Sequence, residues 1–205
     1  MKVYTNPIST NTKRVHVLSR ELGLENETVP IDFTTGEHKT PEFLARNPNG
    51  KLPVVELDGR DQWESPAIII DLAERHRSSL FPPAGRDRTE VLRWMFWNAS
   101  HLEPAIFAAV FEVVFKPQIP GAAFDPERYA KAEADFNRFA AVLDASLANR
   151  LWIAGDTFTV ADIAIGTTAE VADVGKLSVD PLPNLGGWLT RLSARESWGP
   201  KALAA

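Results

Sequence analysis

Cysteine is absent from all 205 residues. The chain therefore has no disulfide, no thiolate metal site and no cysteine nucleophile. A chain this long can bury a sizeable core without such staples. Histidine is scarce, at four residues, and His16, His76 and His101 lack metal-ligand spacing with nearby acids. No metal site is expected, and these three read as structural or exposed. Positive charge is outweighed: 22 Lys and Arg stand against 27 Asp and Glu, for a net charge of −5. With no long basic run, the electrostatic footprint of a nucleic-acid binder is missing. No stretch reaches the roughly 20 apolar residues that a membrane span needs. Met1–Tyr4 runs directly into a strand-like pattern with no signal-peptide core, so a cytoplasmic protein is expected. Repeats and low-complexity tracts are absent too.

What is present is a globular balance, 44% hydrophobic and 24% charged. The first part of the chain alternates short strand and helix signals. Lys2–Thr5 is β-prone and ends at Asn6-Pro7. Thr10 to Leu22 carries a helical pattern with Val15, Leu18 and Leu22 on one face and Gly23 as the stop. Thr28–Asp32 reads as a strand, and Phe33–Thr40 as a polar loop. Pro41–Arg46 reads as a short helix with proline at an early position. Val54–Leu57 and Arg60–Trp63 flank Asp58-Gly59, the signature of a tight hairpin. Ser65-Pro66 opens another helix, with Ser65 expected as its N-cap. The order β-α-β-α-β-β-α predicts a small mixed sheet with helices on its faces: a parallel start, then an antiparallel hairpin.

From Arg77 to Arg88 the texture changes to serines, Pro82-Pro83 and Gly85, a linker. Strand signals then nearly vanish. Helices are expected over Thr89–Phe115, kinked or divided at Pro104, and over Glu127–Asn149, Phe158–Val174 and Asn184–Ala194. The expected organisation is residues 1–76, a linker over 77–88, and an all-helical part over 89–205.

Four runs carry a resemblance. Tyr4-Thr5-Asn6-Pro7-Ile8-Ser9-Thr10-Asn11-Thr12-Lys13-Arg14-Val15 opens the chain. Glu37-His38-Lys39 precedes Phe43 to Val54, which contains Asn47-Pro48-Asn49-Gly50-Lys51-Leu52-Pro53. Trp63-Glu64-Ser65-Pro66-Ala67-Ile68 follows. Gly155 to Ala164 holds Thr159 and Asp162. In this order and spacing they resemble the cytosolic glutathione transferases, and in particular the serine-type, phi-like bacterial ones. The resemblance spans nearly the whole chain. It implies a thioredoxin-like, glutathione-binding first domain and a C-terminal helical bundle that holds an apolar electrophile. It also implies a homodimer. Ser65-Pro66 departs from the serine-arginine pair common in phi-type sequences.

Ser9 is the residue expected to be catalytic, its hydroxyl meeting the glutathione sulfur. A free thiol with a pKa of about 8.5 is roughly 3% ionised at pH 7, and lowering that pKa by about two units takes about 2.7 kcal/mol. A hydroxyl donor and a helix N-terminus together supply stabilisation of that order. The plain alternative is that Ser9 or Thr10 is an N-cap. Thr10 and Asn11 remain alternatives for the sulfur contact. Tyr4 lies inside the first strand, which argues against tyrosine-type chemistry.

By the same resemblance, Glu64 takes the γ-glutamyl ammonium and Ser65 the γ-glutamyl carboxylate. The Leu52–Pro53 bond is expected to be cis and to present the Leu52 backbone to the cysteinyl residue. His38, Lys39 and Lys51 are candidates for the glycyl carboxylate; a solvated basic loop is the alternative. Thr159 and Asp162 form a capping box, with Phe158 and Ile163 as its hydrophobic staple. Trp94, Trp97, Phe107, Phe111 and Phe115 are candidate pocket or core aromatics. The competing function is a non-catalytic glutathione- or ligand-binding module of the same fold.

Overall fold

In a computed structural model that describes residues 1–203, the strand signals of the first part assemble into one four-stranded sheet. The strands are β1 (Lys2–Thr5), β2 (Glu27–Pro30), β3 (Val54–Leu57) and β4 (Arg60–Gln62), in the order β2-β1-β3-β4. β1 pairs parallel with β2, and the β1–β3 and β3–β4 pairs are antiparallel. β2 begins one residue earlier than expected and ends at Pro30 on the sheet edge, where a proline removes no bond to β1 because Glu27 and Ile31 on either side of it donate to Met1 and Thr5. In the β3–β4 turn Asp58 and Gly59 have φ of 52° and 73°, the two positive values that a type I′ turn requires.

Helices α1 (Thr10–Glu21), α2 (Pro41–Arg46) and α3 (Ser65–Arg75) complete this part. Val3 and Val55 pair directly, as do Tyr4 and Val54, so the pleat sends the two pairs to opposite faces. Tyr4 and Val54 pack with Ile31, Phe43 and Leu52 under α2. Helices α1 and α3 pack on each other, which leaves them the Val3–Val55 face. The expected loop over Phe33–Thr40 contains a 3₁₀ turn at Glu37–Lys39.

The chain divides into two compact units: Met1–Phe81, joined by the last described residues, and Pro82–Lys201. In the second, α4 (Arg86–Trp97) starts three residues before the expected Thr89, directly after Gly85. The expected long helix is indeed divided. A π-helical turn at Asn98–Leu102 separates α4 from α5 (Glu103–Val110), and another spans Phe111–Phe115. Pro104 sits in the first turn of α5, directly after the π-helical turn, whose closing bond runs from the Glu103 amide to the Asn98 carbonyl. Helices α6 (Pro126–Leu147), α7 (Val160–Ala169) and α8 (Pro183–Ser193) follow.

All ten residues of α7 are buried, so it is the centre of the bundle. Its capping box is present as expected. Asp162 is fully buried and accepts four bonds: from the Ile153 amide at 2.9 Å, the Thr159 amide at 3.0 Å, the Thr159 hydroxyl at 3.1 Å and the Trp188 indole at 3.0 Å. Trp94 is buried, Trp97, Phe107 and Phe115 are partly buried, and Phe111 is exposed. No helix among the described residues is long and apolar enough to cross a membrane.

Candidate functional site

The sheet topology decides where the chemistry collects. β1, β2 and β4 all end at the edge where β3 begins, because Thr5 pairs with Pro30, Tyr4 with Val54, and Val55 with Gln62. Four segments meet that edge: Asn6–Ser9 into α1, the loop after Pro30, Lys51–Pro53 into β3, and Trp63–Ser65 into α3. All ten expected site residues lie on these segments or at the helix starts they feed.

Ser9 precedes α1 with extended backbone, and its hydroxyl oxygen accepts the Thr12 amide at 3.2 Å. It is therefore an N-cap, and capping leaves the hydroxyl hydrogen free to be donated. Asn6 shapes the approach. Its Nδ2 donates to the Ile31 carbonyl at 2.8 Å, its Oδ1 accepts the Ile8 amide at 3.1 Å, and its carbonyl accepts the Ser9 amide at 3.0 Å. Thr10 is only 2% exposed and faces inward. Asn11 Oδ1 is occupied twice, by Arg14 Nη1 at 2.6 Å and by the Ser65 hydroxyl at 2.9 Å. Of the two hydroxyls, only that of Ser9 is accessible with an uncommitted hydrogen, while Asn11 could meet a sulfur only through its Nδ2, which the bonds to its oxygen leave available.

The structure corrects the expected role of Ser65. It is the first residue of α3 and not its cap: Glu64 occupies the cap position and makes no side-chain capping bond. The Ser65 hydroxyl instead crosses to α1 through Asn11 and accepts from Arg14 Nη1 at 3.2 Å. Its amide remains among the free N–H groups at the positive end of α3. Glu64 is exposed and holds φ 69° and ψ 98°. That backbone costs a non-glycine residue about 1–3 kcal/mol.

The Leu52–Pro53 bond is cis. Buried Asn47 organises the turn before it: its Nδ2 donates to the Lys51 carbonyl at 2.7 Å, its Oδ1 accepts the Asn49 amide at 3.0 Å, and its carbonyl accepts the Gly50 amide at 2.9 Å. The 3₁₀ turn lies against this one. A Cβ on Gly50 would stand 2.8 Å from both the His38 carbonyl and Lys39 Nζ, which only glycine at φ 59° avoids. So His38 and Lys39 are brought beside the Gly50-Lys51 turn, with Lys39 and Lys51 exposed. Burial first, then the Lys39 charge, lowers the His38 pKa. That lowering favours the neutral imidazole of His38.

Sequence reasoning passed over Arg14, Asn6 and Asn47. For Arg14 a signal exists: it stands four residues before Leu18, on the same helical face. A hollow of about 530 Å³ in this unit lies at the opposite sheet edge, around Lys2, Glu27, Glu56 and Asp58, and shares no residue with the expected set. Among the described residues no cluster of histidine and acids could hold a metal ion.

Comparison with known proteins agrees on both units. The family model "Glutathione S-transferase, N-terminal domain" matches residues 1–73, and "Glutathione S-transferase, C-terminal domain" matches 102–196. The chain is similar to glutathione S-transferase 3 of Zea mays, with 34% identity covering 100% of this chain and 94% of that one. It is similar to the crystal structure of a glutathione S-transferase from Pseudomonas fluorescens, with a TM-score of 0.88, 32% identity and 98% of each chain covered. It is also similar to a theta class enzyme from Xanthomonas axonopodis pv. citri with glutathione bound, with a TM-score of 0.89, 27% identity, and 100% of this chain and 97% of that one covered.

Proposed function

The chain belongs to the glutathione S-transferase family, and from that premise we propose that it uses Ser9 to hold bound glutathione as a thiolate for attack on a small apolar electrophile or peroxide. Glutathione is the cosubstrate. The observation that carries the serine assignment is the state of its hydroxyl. The Thr12 amide occupies an acceptor position of the Ser9 oxygen at 3.2 Å, polarises it, and leaves the hydrogen to point at an incoming sulfur. The first turn of α1 adds its unpaired N–H groups and positive dipole end. Thr10 is buried, so Ser9 is preferred between the two hydroxyls; the Asn11 oxygen is committed to Arg14 and Ser65, which leaves its Nδ2 as the other donor within the loop.

The rest of the tripeptide follows the sheet edge. The Ser65 amide and hydroxyl take the γ-glutamyl carboxylate at the start of α3, and the exposed Glu64 takes the ammonium. The Leu52 backbone pairs with the cysteinyl residue. Lys39, Lys51 and the neutral imidazole of His38 receive the glycyl carboxylate, a charge-assisted contact. The protein contributes position and thiolate stabilisation, and the nucleophile belongs to the cosubstrate. The helical unit supplies the electrophile's surroundings. The working form is a cytoplasmic homodimer, with monodispersity at twice the chain mass in light scattering as its check.

Ser9→Ala tests the assignment. Removing one donor to the developing charge costs on the order of 10²-fold in kcat. The pKa of the bound glutathione thiol, followed by thiolate absorbance, rises with it, while glutathione binding falls only modestly. Unchanged turnover and an unchanged thiol pKa would refute the role of Ser9. Glutathione binding by the wild type without turnover toward any electrophile or peroxide would favour the binding-module reading.

A further inference from the structure

Arg14 is 1% exposed, among the most completely buried large side chains of the protein. It lies one turn into α1, yet it reaches the start of α3. Its Nη1 donates to Asn11 Oδ1 at 2.6 Å and to Ser65 Oγ at 3.2 Å, and the Ser65 hydroxyl donates to the same Asn11 oxygen at 2.9 Å. Chemistry fixes every direction in this triangle. An arginine can only donate, so the Asn11 atom beside it is the oxygen. That oxygen can only accept, so the Ser65 hydroxyl hydrogen is turned towards Asn11. In this state Ser65 cannot give that hydrogen to a carboxylate.

We infer that Arg14 is a positioning residue of the glutathione site, which holds the Ser65 oxygen in place while its hydroxyl hydrogen rotates from Asn11 to an incoming carboxylate. The inference rests on the proposed glutathione-binding role of Ser65. When the hydrogen leaves, Asn11 Oδ1 stays paired because Arg14 already donates to it. The Ser65 oxygen stays anchored by the second N–H of the same Nη1. No buried acceptor is stranded, so the exchange carries no desolvation penalty. A nitrogen bearing two fixed N–H groups in one plane suits this double duty; an ammonium on a flexible stem lacks the fixed fork. Arg14 also places a buried positive charge next to the hydroxyl, which favours donation to an anion. Asn11 Oδ1 thereby becomes the resting acceptor of the network.

The experiment compares two peptides by titration calorimetry: glutathione, and the analogue 4-aminobutanoyl-cysteinyl-glycine, which lacks only the γ-glutamyl α-carboxylate. Arg14→Met is expected to weaken glutathione about tenfold, the size of one charge-assisted hydrogen bond, and to leave the analogue's Kd unchanged. A merely structural role would weaken both peptides alike, and that result, or no change for either, overturns the proposal. Ser65→Ala is the control for the site itself. If it fails to discriminate the two peptides, the carboxylate reading of Ser65 falls, whatever Arg14 does. If Ser65→Ala discriminates and Arg14→Met does not, the Arg14 proposal alone falls. The double variant should lose no more than the worse single one, because both act on one contact. Should Arg14→Met not fold, Arg14→Lys keeps the charge and is read the same way: a reduced preference for glutathione over the analogue supports the fork, and an unchanged preference overturns it.

Discussion

Replacing Asp162 with alanine should destabilise the helical unit by about 4 kcal/mol at pH 7, and by more in mild acid. The side chain is fully buried, and so are its partners Ile153 and Trp188. Four donors converge on it: the amides of Ile153 and Thr159, the Thr159 hydroxyl and the Trp188 indole. In Asp162→Ala the Thr159 hydroxyl can turn elsewhere, but three N–H groups are stranded. Each costs about 1–3 kcal/mol, and the sum is partly offset because the buried charge is also removed. That charge has its own cost. Burial raises the carboxyl from 3.8 to about 6, against four hydrogen bonds that pull it down. The folded pKa lies above the unfolded one, so the folded chain binds a proton that the unfolded chain does not. Stability from this group is therefore full below pH 3.8 and is lost as pH rises through about 6. The gap corresponds to about 3 kcal/mol over that window. Alanine does not titrate. The wild-type advantage over Asp162→Ala, measured by urea unfolding with tryptophan fluorescence, should be larger at pH 5 than at pH 7. A loss below about 1 kcal/mol at pH 7, or an advantage that grows with pH, would refute the reasoning.

Gly166→Ala should also destabilise the bundle. A Cβ there would lie 2.4 Å from a Leu192 methyl carbon and 2.7 Å from the Trp198 ring, an overpacking expected to cost about 1–3 kcal/mol and read as a fall of several degrees in Tm. Glu112→Gln should lower Tm at neutral pH, because the buried carboxylate receives Lys116 Nζ at 2.8 Å and the Asp125 amide at 3.0 Å. Its pKa is depressed, chiefly by the Lys116 hydrogen bond. That stabilisation is present above the usual carboxylate range and lost as pH falls below it, so the wild-type and variant melting curves should converge in acid.

Much of the fold was legible because it is locally encoded. Pro41 at the start of α2, the Asp58-Gly59 turn and the Thr159–Asp162 capping box each act within a few residues, where propensity and stereochemistry decide. The π-helical turns of the helical run were not legible. Proline 104 marked a division, but where the helix slips register depends on what packs against it. Ser65 shows the same limit at the site. Before a proline and an apolar run, a serine has every local reason to cap a helix. Its hydroxyl was diverted by Asn11 and Arg14, which are more than fifty residues away in sequence.

The sequence by itself determined the chemistry allowed to this protein and its order along the chain. With no cysteine, a protein thiolate is excluded, and the expected site residues occur in the first three of four runs with family spacing. Composition suffices for the exclusion, and the resemblance supplies the order of the runs; neither depends on the fold. Which hydroxyl stands free was a tertiary decision. Ser9, Thr10 and Asn11 are adjacent and equally polar. The structure gives them different surroundings because the sheet edge brings α1 against the start of α3, where Thr10 is buried, the Asn11 oxygen is occupied and Ser9 keeps a hydrogen to give. Burial and pairing between distant segments are properties of the folded chain, and they separate the three.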